Sequence, residues 1–415
     1  GTSRYRVGPM KYALIIPDGA ADFPLDDLGG QTPLQAALTP NADRLAEHAR
    51  LGTVVTTPPS KPCGSDVCTM SLLGYDPEKY HTGRAPLEAA ALGITMGDED
   101  WVFRVNLVTV VDGTMDDHSA GHVSSAEGAR LIREFADVFE EDGLVFYPGV
   151  SYRNIMRDVS GTRDWDELAT TPPHDILGRP IRKHLPVGGK HAATLQRLIA
   201  ESEVFLAQHE INLTRSEMGE LPATHLWPWG QGRRPAMPAF QERFGVRGAM
   251  ITAVDLLAGI AAFTGLDRLD VPGQTSYHDN DYAATGAHAV AALDTYDLVV
   301  AHVEAPDEAA HAADVQTKVA AIEAIDRHVV GPIHKALQER EEETGEPWRI
   351  LMMPDHYTRV ETRLHDPTPP PFLLAGHKVG GVIRRPFTEA SAEASDLHIE
   401  RGHELMEFFL RSGVS

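Results

Sequence analysis

The chain has 415 residues, 42% of them hydrophobic, and a formal net charge of −23. This composition supports a large globular core, and the negative charge argues against nucleic acid or an anionic membrane as a partner. No apolar run approaches the ~20 residues of a membrane span, and only two cysteines are present, Cys63 and Cys68. They are too few for a secreted disulfide framework, so we expect a cytoplasmic protein.

The first strand signal is the apolar run at residues 11–18. We interpret Gly1 to Pro9, which precede it, as either a tag remnant or a loose native extension. Thr39 and Pro40 then open a helix, with Thr39 as the expected N-cap. A β-branched run at 53–56 predicts a further strand.

Ser65 follows a loop punctuated by proline and glycine and precedes an apolar stretch. At a helix N-terminus its hydroxyl would lie where the helix dipole favours an anion. The alternative is that Ser65 merely caps the helix, because serine is a common cap. This segment alone leaves both interpretations open.

The middle of the chain has a different texture. Residues 103–111 predict a strand that Asp112-Gly113 closes in a hairpin-type turn. Helical patterns then alternate with proline-rich loops, which predicts an inserted α+β domain at 115–240. The remaining segments, 10–114 and 241–412, form a discontinuous core.

After the insert, strand and helix signals alternate again. The predicted elements are a strand at 249–254, a helix at 255–263, a strand at 297–303, a helix near 314–338, a strand at 349–353 and a helix at 400–412. This alternation predicts an α/β core with a mainly parallel sheet and helices on both faces.

Three predicted strands end in residues that bind metal ions. These residues, with a histidine further on, are Asp18, Asp307, His311, Asp355, His356 and His365. Open α/β sheets bind ligands at the carboxyl ends of their strands. Asp307 and His311 share a face of a helix and, with His365, suit Zn²⁺ or Mn²⁺.

Asp18, Asp355 and His356 are a second ligand set. Because Asp355 and His356 are adjacent, they could face two different ions at a strand end. Two ions about 4 Å apart would clamp the attacking and leaving oxygens of a phosphoryl transfer. Ser65 on one ion would then be a nucleophile that forms a phosphoserine.

Several motifs occur in the order of a known family. They are Asp18-Gly19, Gly64-Ser65-Asp66, Leu73-Gly74-Tyr75-Asp76-Pro77, Thr82-Gly83-Arg84, Asp307-Glu308-x-x-His311, Asp355-His356 and His365-x-x-x-Pro369-x-Pro371. The chain resembles the archaeal-type 2,3-bisphosphoglycerate-independent phosphoglycerate mutases of the alkaline phosphatase superfamily, through most of residues 10–412. Bacterial members with these features have also been proposed to be homoserine kinases.

The resemblance implies an alkaline-phosphatase-like core in two pieces, with the insert as a substrate-capping domain. It makes Ser65 the phosphorylated nucleophile. It assigns one metal to Asp307, His311 and His365, and the other to Asp18, Ser65, Asp355 and His356. Mn²⁺ is the expected metal, with Zn²⁺, Co²⁺ and Mg²⁺ as alternatives.

The chain departs from the family at two places. The family often has Ala-Asn where this chain has Cys68-Thr69, and relatives often carry a lysine where it has Ala283-Ala284. If that lysine holds substrate in the relatives, then either a different arginine does so in this chain or the substrate is a different one.

The implied substrate carries a phosphate and a carboxylate, both suited to bidentate arginine. The candidates are Arg104, Arg153, Arg233 and Arg234, with His122 as a proton relay. For each arginine the alternative is a solvated surface charge.

The function predicted first is interconversion of 3-phosphoglycerate and 2-phosphoglycerate through a phosphoserine intermediate, as a monomer or a homo-oligomer. The alternatives are phosphotransfer to another small substrate such as homoserine, a metal-dependent phosphatase or sulfatase, and a structural metal site. The phosphate-binding G-x-x-x-x-G-K-[ST] motif is absent, since Val187-Gly188-Gly189-Lys190 lacks the first glycine.

Overall fold

The computed structural model describes residues 9–381 and 384–413. The predicted extension ahead of Pro9 therefore lies outside the described residues. The strands are β1 (Lys11–Pro17), β2 (Arg50–Val54), β3 (Trp101–Val111), β4 (Thr114–Asp117), β5 (Leu144–Tyr147), β6 (Arg153–Asp158), β7 (His225–Arg233), β8 (Gly248–Ile251), β9 (Asp267–Arg268), β10 (Leu298–Val303), β11 (Trp348–Met352), β12 (Tyr357–Arg359), β13 (Leu364–Asp366), β14 (Pro371–Gly376) and β15 (His398–Ile399).

The α-helices are α1 (Pro33–Ala36), α2 (Pro40–Ala46), α3 (Ser65–Leu72), α4 (Pro77–Tyr80), α5 (Arg84–Ala91), α6 (Ser125–Val138), α7 (Ala192–Ala207), α8 (Glu210–Glu217), α9 (Phe240–Phe244), α10 (Asp255–Thr264), α11 (Tyr282–Ala292), α12 (Ala305–His311), α13 (Val315–Ile325), α14 (Gly331–Thr344), α15 (Glu389–Glu393) and α16 (Leu405–Arg411). A π-helical segment, Asp326–Val330, joins α13 to α14. Within the described ranges, no helix has the length and apolar character needed to cross a membrane.

The chain forms two compact units. The first ends at His81 and resumes at Met237, and the second is Thr82–Ala236. The second unit therefore begins earlier than the predicted boundary at residues 114 and 115. The physical reason is β3, which pairs with β6 and β7 of the second unit rather than with any core strand.

The first unit contains the predicted, mostly parallel sheet. Its strand order is β15-β2-β14-β11-β1-β10-β8-β9. The central strand β1 runs parallel to both β10 and β11, whereas β14 is antiparallel to β11 and β2. Three apolar runs from distant parts of the chain are thus neighbours at the centre.

Helices cover both faces of this sheet, as predicted. Alternate residues of a strand point to opposite faces. Ala13 and Ile15 of β1 pack in a buried cluster with residues of α11, α13 and α14. Tyr12 points the other way, and its ring lies 5.4 Å from that of Phe409 on α16.

The second unit is an antiparallel sheet with helices, so it has the α+β character predicted for the insert. Its strand order is β4-β3-β6-β5, with β7 also paired to β3. Phe103 of β3 packs with Leu131 of α6 and Leu195 of α7 in a buried cluster. Asp112 and Gly113 form the predicted turn, with φ angles of 50° and 74°, and join β3 to β4.

Thr39 occupies the predicted N-cap position of α2, with Pro40 as the first helical residue, but it does not cap the helix through its side chain. Instead the amides of Asn41 and Ala42 donate to the carboxylate of Asp326 at 3.1 and 2.8 Å. The helix start is therefore stabilised by a residue distant in sequence.

Candidate metal and phosphoryl-transfer site

The three predicted strand ends lie side by side in the core sheet. Because β1, β10 and β11 are parallel neighbours, their carboxyl ends meet at one edge. The residues that follow these strands, together with His365 on β13, are Asp18, Asp307, His311, Asp355 and His356. The structure therefore brings together every metal ligand predicted from the strand ends.

Asp307, His311 and His365 form the first ligand group, with ligand atoms within 4.8 Å of one another. The Nε2 atoms of His311 and His365 lie 3.2 and 3.1 Å from the Asp307 carboxylate oxygens. Their Nδ1 atoms lie 2.8 and 3.0 Å from the backbone carbonyls of Arg363 and Cys63. This arrangement assigns the ring protons to Nδ1 in the neutral rings and leaves both Nε2 lone pairs for a metal.

Asp18, Asp355 and His356 form the second group, and all three are buried. His356 Nε2 lies 3.4 Å from Asp18 Oδ1 and 3.3 Å from Asp355 Oδ2. His356 Nδ1 lies 3.1 Å from the carbonyl of Tyr357, which again leaves Nε2 as the ligand atom. Asp355 and His356 thus fall in one group rather than facing different ions.

The chemistry of these residues fits divalent metal ions. Asp355 Oδ1 accepts hydrogen bonds from the amides of Gly19 and His356, but its buried Oδ2 accepts no hydrogen bond. An unpartnered buried carboxylate oxygen is costly unless a cation binds it. Burial, followed by the negative charge of Asp355, also raises the pKa of Asp18 well above its usual value. Both features indicate a site built for positive charge.

Ser65 faces the second group. It is the first residue of α3, with Gly64 at the N-cap position and no side-chain capping bond. Its Oγ lies 3.1 Å from Asp18 Oδ2 and 3.0 Å from His356 Nε2. The hydroxyl is therefore placed among the ligands, and the interpretation of Ser65 as a simple cap is wrong.

Thr358 and Gly19 hold the two groups close together. The Thr358 hydroxyl donates to Asp307 Oδ1 at 2.5 Å and lies 3.2 Å from His356 Nδ1. Gly19 has a φ of 64°, and a Cβ there would lie 2.4 Å from Thr358 Oγ1 and 2.8 Å from Asp307 Oδ1. Only glycine fits at this approach.

The first group is a strongly coupled set of charges. Burial opposes ionisation of Asp307, but its hydrogen bonds to His311 and His365 outweigh burial and hold its pKa well below the usual range. Burial likewise lowers the pKa of His365, but Asp307 outweighs it, and the net pKa is raised to about 9. In the metal-free protein Asp307 is therefore balanced by a protonated imidazole.

One residue at this edge was not predicted. His302 lies within β10, and its side chain is fully buried against Asp18. The signal in the sequence is a single histidine inside the otherwise apolar run Leu298–Val303. A buried histidine in such a strand needs polar partners on the neighbouring strands.

The second unit contains a cluster of basic and aromatic side chains, here called the arginine–histidine cluster. Its members are Glu88, Arg104, His118, His122, Tyr152, Arg153, His174 and Trp229. Arg104 Nε lies 3.0 Å from Glu88 Oε2, and its guanidinium lies 3.9 Å from the ring centre of Trp229. The His174 ring contacts the same tryptophan at 5.3 Å. Three predicted residues, Arg104, His122 and Arg153, thus belong to one cluster.

Arg233 and Arg234 lie elsewhere in the second unit. Trp101 pairs with Arg233 in the sheet, whereas Asn106 pairs with Arg153, so the two arginines are five residues apart along β3, roughly 16 Å. Arg233 lies within 4 Å of Glu99, Asp164 and Asp166, and Arg234 pairs with Asp98. Surface carboxylates therefore surround both side chains.

Comparisons with known proteins identify the family of the chain. A family model described as 2,3-bisphosphoglycerate-independent phosphoglycerate mutase matches residues 46–212. A protein of Methanothermobacter thermautotrophicus named 2,3-bisphosphoglycerate-independent phosphoglycerate mutase 2 is 45% identical over 401 residues, 97% of each chain. A Methanothrix thermoacetophila protein with the same family name is also 45% identical, over 97% of this chain and 100% of its own.

Two solved structures are similar to this chain over nearly its full length. A Pyrococcus horikoshii protein superposes with a TM-score of 0.80 at 29% identity, covering 97% of both chains. The cofactor-independent phosphoglycerate mutase of Thermoplasma acidophilum gives a TM-score of 0.67 at 26% identity, covering 97% of this chain and 99% of its own. With near-complete coverage at 45% identity, the chain belongs to the 2,3-bisphosphoglycerate-independent phosphoglycerate mutase family.

Proposed function

We propose that the chain interconverts 3-phosphoglycerate and 2-phosphoglycerate, a step of glycolysis, without 2,3-bisphosphoglycerate. The observation that carries this proposal is the position of Ser65. Its Oγ lies 3.1 Å from Asp18 and 3.0 Å from His356, at the start of a helix and among two sets of metal ligands. Membership of the mutase family supplies the substrate class.

In this proposal two divalent ions occupy the two ligand groups. Asp307, His311 and His365 hold one, and Asp18, Ser65, Asp355 and His356 hold the other. When bound, such ions lower the pKa of the serine hydroxyl and neutralise charge on the transferred phosphoryl group. Mn²⁺ is our first choice, since carboxylate and imidazole ligands accept it together with Zn²⁺ and Co²⁺.

The Ser65 hydroxyl is the group that receives the phosphoryl. Its Oγ attacks the phosphorus of 3-phosphoglycerate as the bond between the phosphorus and the substrate's C3 oxygen breaks. The proton lost by Ser65 passes to that C3 oxygen, which leaves phosphoserine and bound glycerate. The 2-hydroxyl of glycerate then attacks the phosphoserine and restores Ser65. Exclusion of water favours return of the phosphoryl to glycerate over hydrolysis.

We assign substrate binding to the arginine–histidine cluster, which gives the second unit the substrate-capping role implied by the resemblance. Arg104 and Arg153 suit the carboxylate and phosphate, because a guanidinium binds such groups through two parallel hydrogen bonds. His122, whose ring lies 6.0 Å from that of Tyr152, is our candidate for moving a proton to or from the substrate hydroxyl. Arg233 and Arg234 are weaker candidates because carboxylates already surround them.

The test is phosphoglycerate interconversion by the Mn²⁺-loaded protein without added 2,3-bisphosphoglycerate, beside Ser65→Ala. We expect turnover that the variant lacks, and a phosphoserine in the wild type after brief exposure to substrate. Ser65→Ala should still bind metal through its remaining ligands. Turnover by Ser65→Ala, or rapid release of inorganic phosphate as the main product of the wild type, would contradict the proposal.

A second candidate is phosphotransfer to another small acceptor, such as homoserine. The observation that favours it is Ala283-Ala284, at the start of α11, where relatives often carry a lysine. Phosphoserine formation from other esters without phosphoglycerate turnover would support it. A cytoplasmic location remains part of either proposal and agrees with Cys63 and Cys68 both being free thiols.

A further inference from the structure

His302, on strand β10 of the core sheet, contacts Asp18 of the second ligand group. It lies on β10 next to β1, and the register pairs it with Ile16, two residues before Asp18. Its Nε2 lies 2.7 Å from Asp18 Oδ2, and its Nδ1 lies 3.0 Å from the hydroxyl of Thr252. Both polar atoms of this buried ring therefore have a partner.

The partners on the two sides of the His302 ring, Thr252 and Asp18, together indicate which ring nitrogen carries the proton. The Thr252 hydroxyl accepts a hydrogen bond from the amide of Val254 at 3.1 Å. Its own hydrogen is then available for His302 Nδ1, which places the ring proton on Nε2, facing Asp18. The opposite tautomer would direct the Nε2 lone pair at a carboxylate oxygen, which is repulsive.

The two sides of Asp18 are thus occupied differently. Oδ2 accepts the hydrogen bond from His302, whereas Oδ1 lies 3.4 Å from His356 Nε2. Ser65 Oγ lies near both oxygens, 3.1 Å from Oδ2 and 3.4 Å from Oδ1. A buried carboxylate that a neutral donor holds has a fixed orientation and keeps its negative charge for the other ligands. Outer hydrogen-bond partners of metal ligands commonly act in this way.

We propose that His302 is a positioning residue, which fixes the Asp18 carboxylate through its Nε2–H and thereby sets the metal affinity of the second ligand group. The inference rests on the proposed metal site and adds a residue to it that is not itself a ligand. Thr252 supports this role by holding the required tautomer.

The test compares His302→Gln with His302→Asn by titrating Mn²⁺ calorimetrically into the metal-free protein. The glutamine amide nitrogen is as many bonds from Cβ as His302 Nε2, whereas that of asparagine matches Nδ1. We expect His302→Asn to weaken one of two Mn²⁺ sites by about 10- to 100-fold. His302→Gln should stay within about threefold of wild type, and the other site should not change.

Melting temperatures of the two variants, measured without metal and compared with that of the wild type, check that both variants are folded. Equal Mn²⁺ affinities in His302→Asn and wild type would overturn the inference, and so would equal weakening in His302→Gln and His302→Asn, because the effect would then be one of packing. If wild type itself binds no Mn²⁺, the proposed function fails instead. Thr252→Val and Thr252→Ser form a second matched pair, in which only the valine variant should weaken the same site.

Discussion

The Nε2 atoms of His311 and His365 lie 3.0 Å apart, although the Nδ1 of each ring already contacts a backbone carbonyl. In the neutral rings this contact would be between two lone pairs. It is tolerated either because one ring is protonated, as the raised pKa of His365 indicates, or because a cation lies between them. Protons and metal ions therefore compete for the Nε2 atoms of these two histidines.

Metal affinity should consequently rise with pH. In the metal-free protein the pKa of His365 is about 9, so at pH 7 its ring is mostly protonated and must lose a proton to bind a metal. Between about pH 7 and 9 we expect up to about a tenfold gain in Mn²⁺ affinity per pH unit from this group, levelling off above its pKa. Calorimetry at several pH values, in buffers of different ionisation enthalpy, measures the slope and the released proton.

His365→Asn is the control for this pH dependence. Without the imidazole, the proton of residue 365 no longer competes, so the remaining site should show a smaller pH slope and release fewer protons. A wild-type affinity that does not change between pH 7 and 9 would show that the His365 proton is not displaced.

Metal removal should destabilise the protein through Asp18 and Asp355, whose buried carboxylates then face each other without a counter-ion. A ligand present at 100 times its Kd stabilises the native state by about 2.7 kcal/mol per site. Unfolding with Mn²⁺ and with chelator measures the difference in the free energy of unfolding.

Asp355→Asn should reduce the loss of stability that follows metal removal. The substitution removes a charge that raises the pKa of Asp18, so the metal-free variant should be at least as stable as the metal-free wild type. Added Mn²⁺ should then stabilise the variant less than it stabilises the wild type. A variant that gains as much from Mn²⁺ as the wild type would remove Asp355 from the ligand set.

Gly19 and Gly29 provide a matched test of the close approach beside Thr358, because both have a φ of 64°. Gly29→Ala meets no atom within 4 Å, so it should cost only the backbone term of about 1 kcal/mol. Gly19→Ala would place a Cβ 2.8 Å from Asp307 Oδ1, so it should also weaken metal binding. Denaturant unfolding and Mn²⁺ titration of both variants separate the two effects.

Arg104→Lys should raise KM more than it lowers kcat, since lysine keeps the charge but loses the planar, two-pronged contact. Loss of a hydrogen bond to a charged group predicts roughly a 10- to 100-fold fall in kcat/KM. Arg234→Lys is the control, because Arg234 forms an exposed ion pair with Asp98, and kcat/KM should stay within about twofold. Equal effects of the two substitutions would argue against binding of substrate by the arginine–histidine cluster.

The sequence predicts those features whose signals are local. Asp18 and Asp355 directly follow apolar runs, so the strand ends and their meeting at one edge could be inferred from alternation and parallel pairing alone. The sequence also predicts the strand at 103–111, but it does not predict its partners, because strand pairing depends on residues far away in the chain. The predicted placement of this strand in the core is therefore wrong, since it pairs with strands of the second unit.

Long-range polar contacts account for the other differences. The Asp326 carboxylate, rather than the Thr39 side chain, accepts hydrogen bonds from the α2 amides, and no sequence pattern near Thr39 predicts this contact. His302 escaped notice because a single histidine in an apolar strand has no periodic signature. Its role depends on Asp18 and Thr252, which lie on two other segments of the chain.

The placement of β1 between β10 and β11 has a consequence for synthesis of the chain. Tyr12 pairs with Leu298 and Arg349, so β1 leaves the ribosome long before either neighbour exists. The continuous unit Thr82–Ala236 has all its strands much earlier and can fold first. Such high contact order makes folding of the core slow. Until His365 has been translated, the nascent chain holds its serine nucleophile without a complete set of metal ligands.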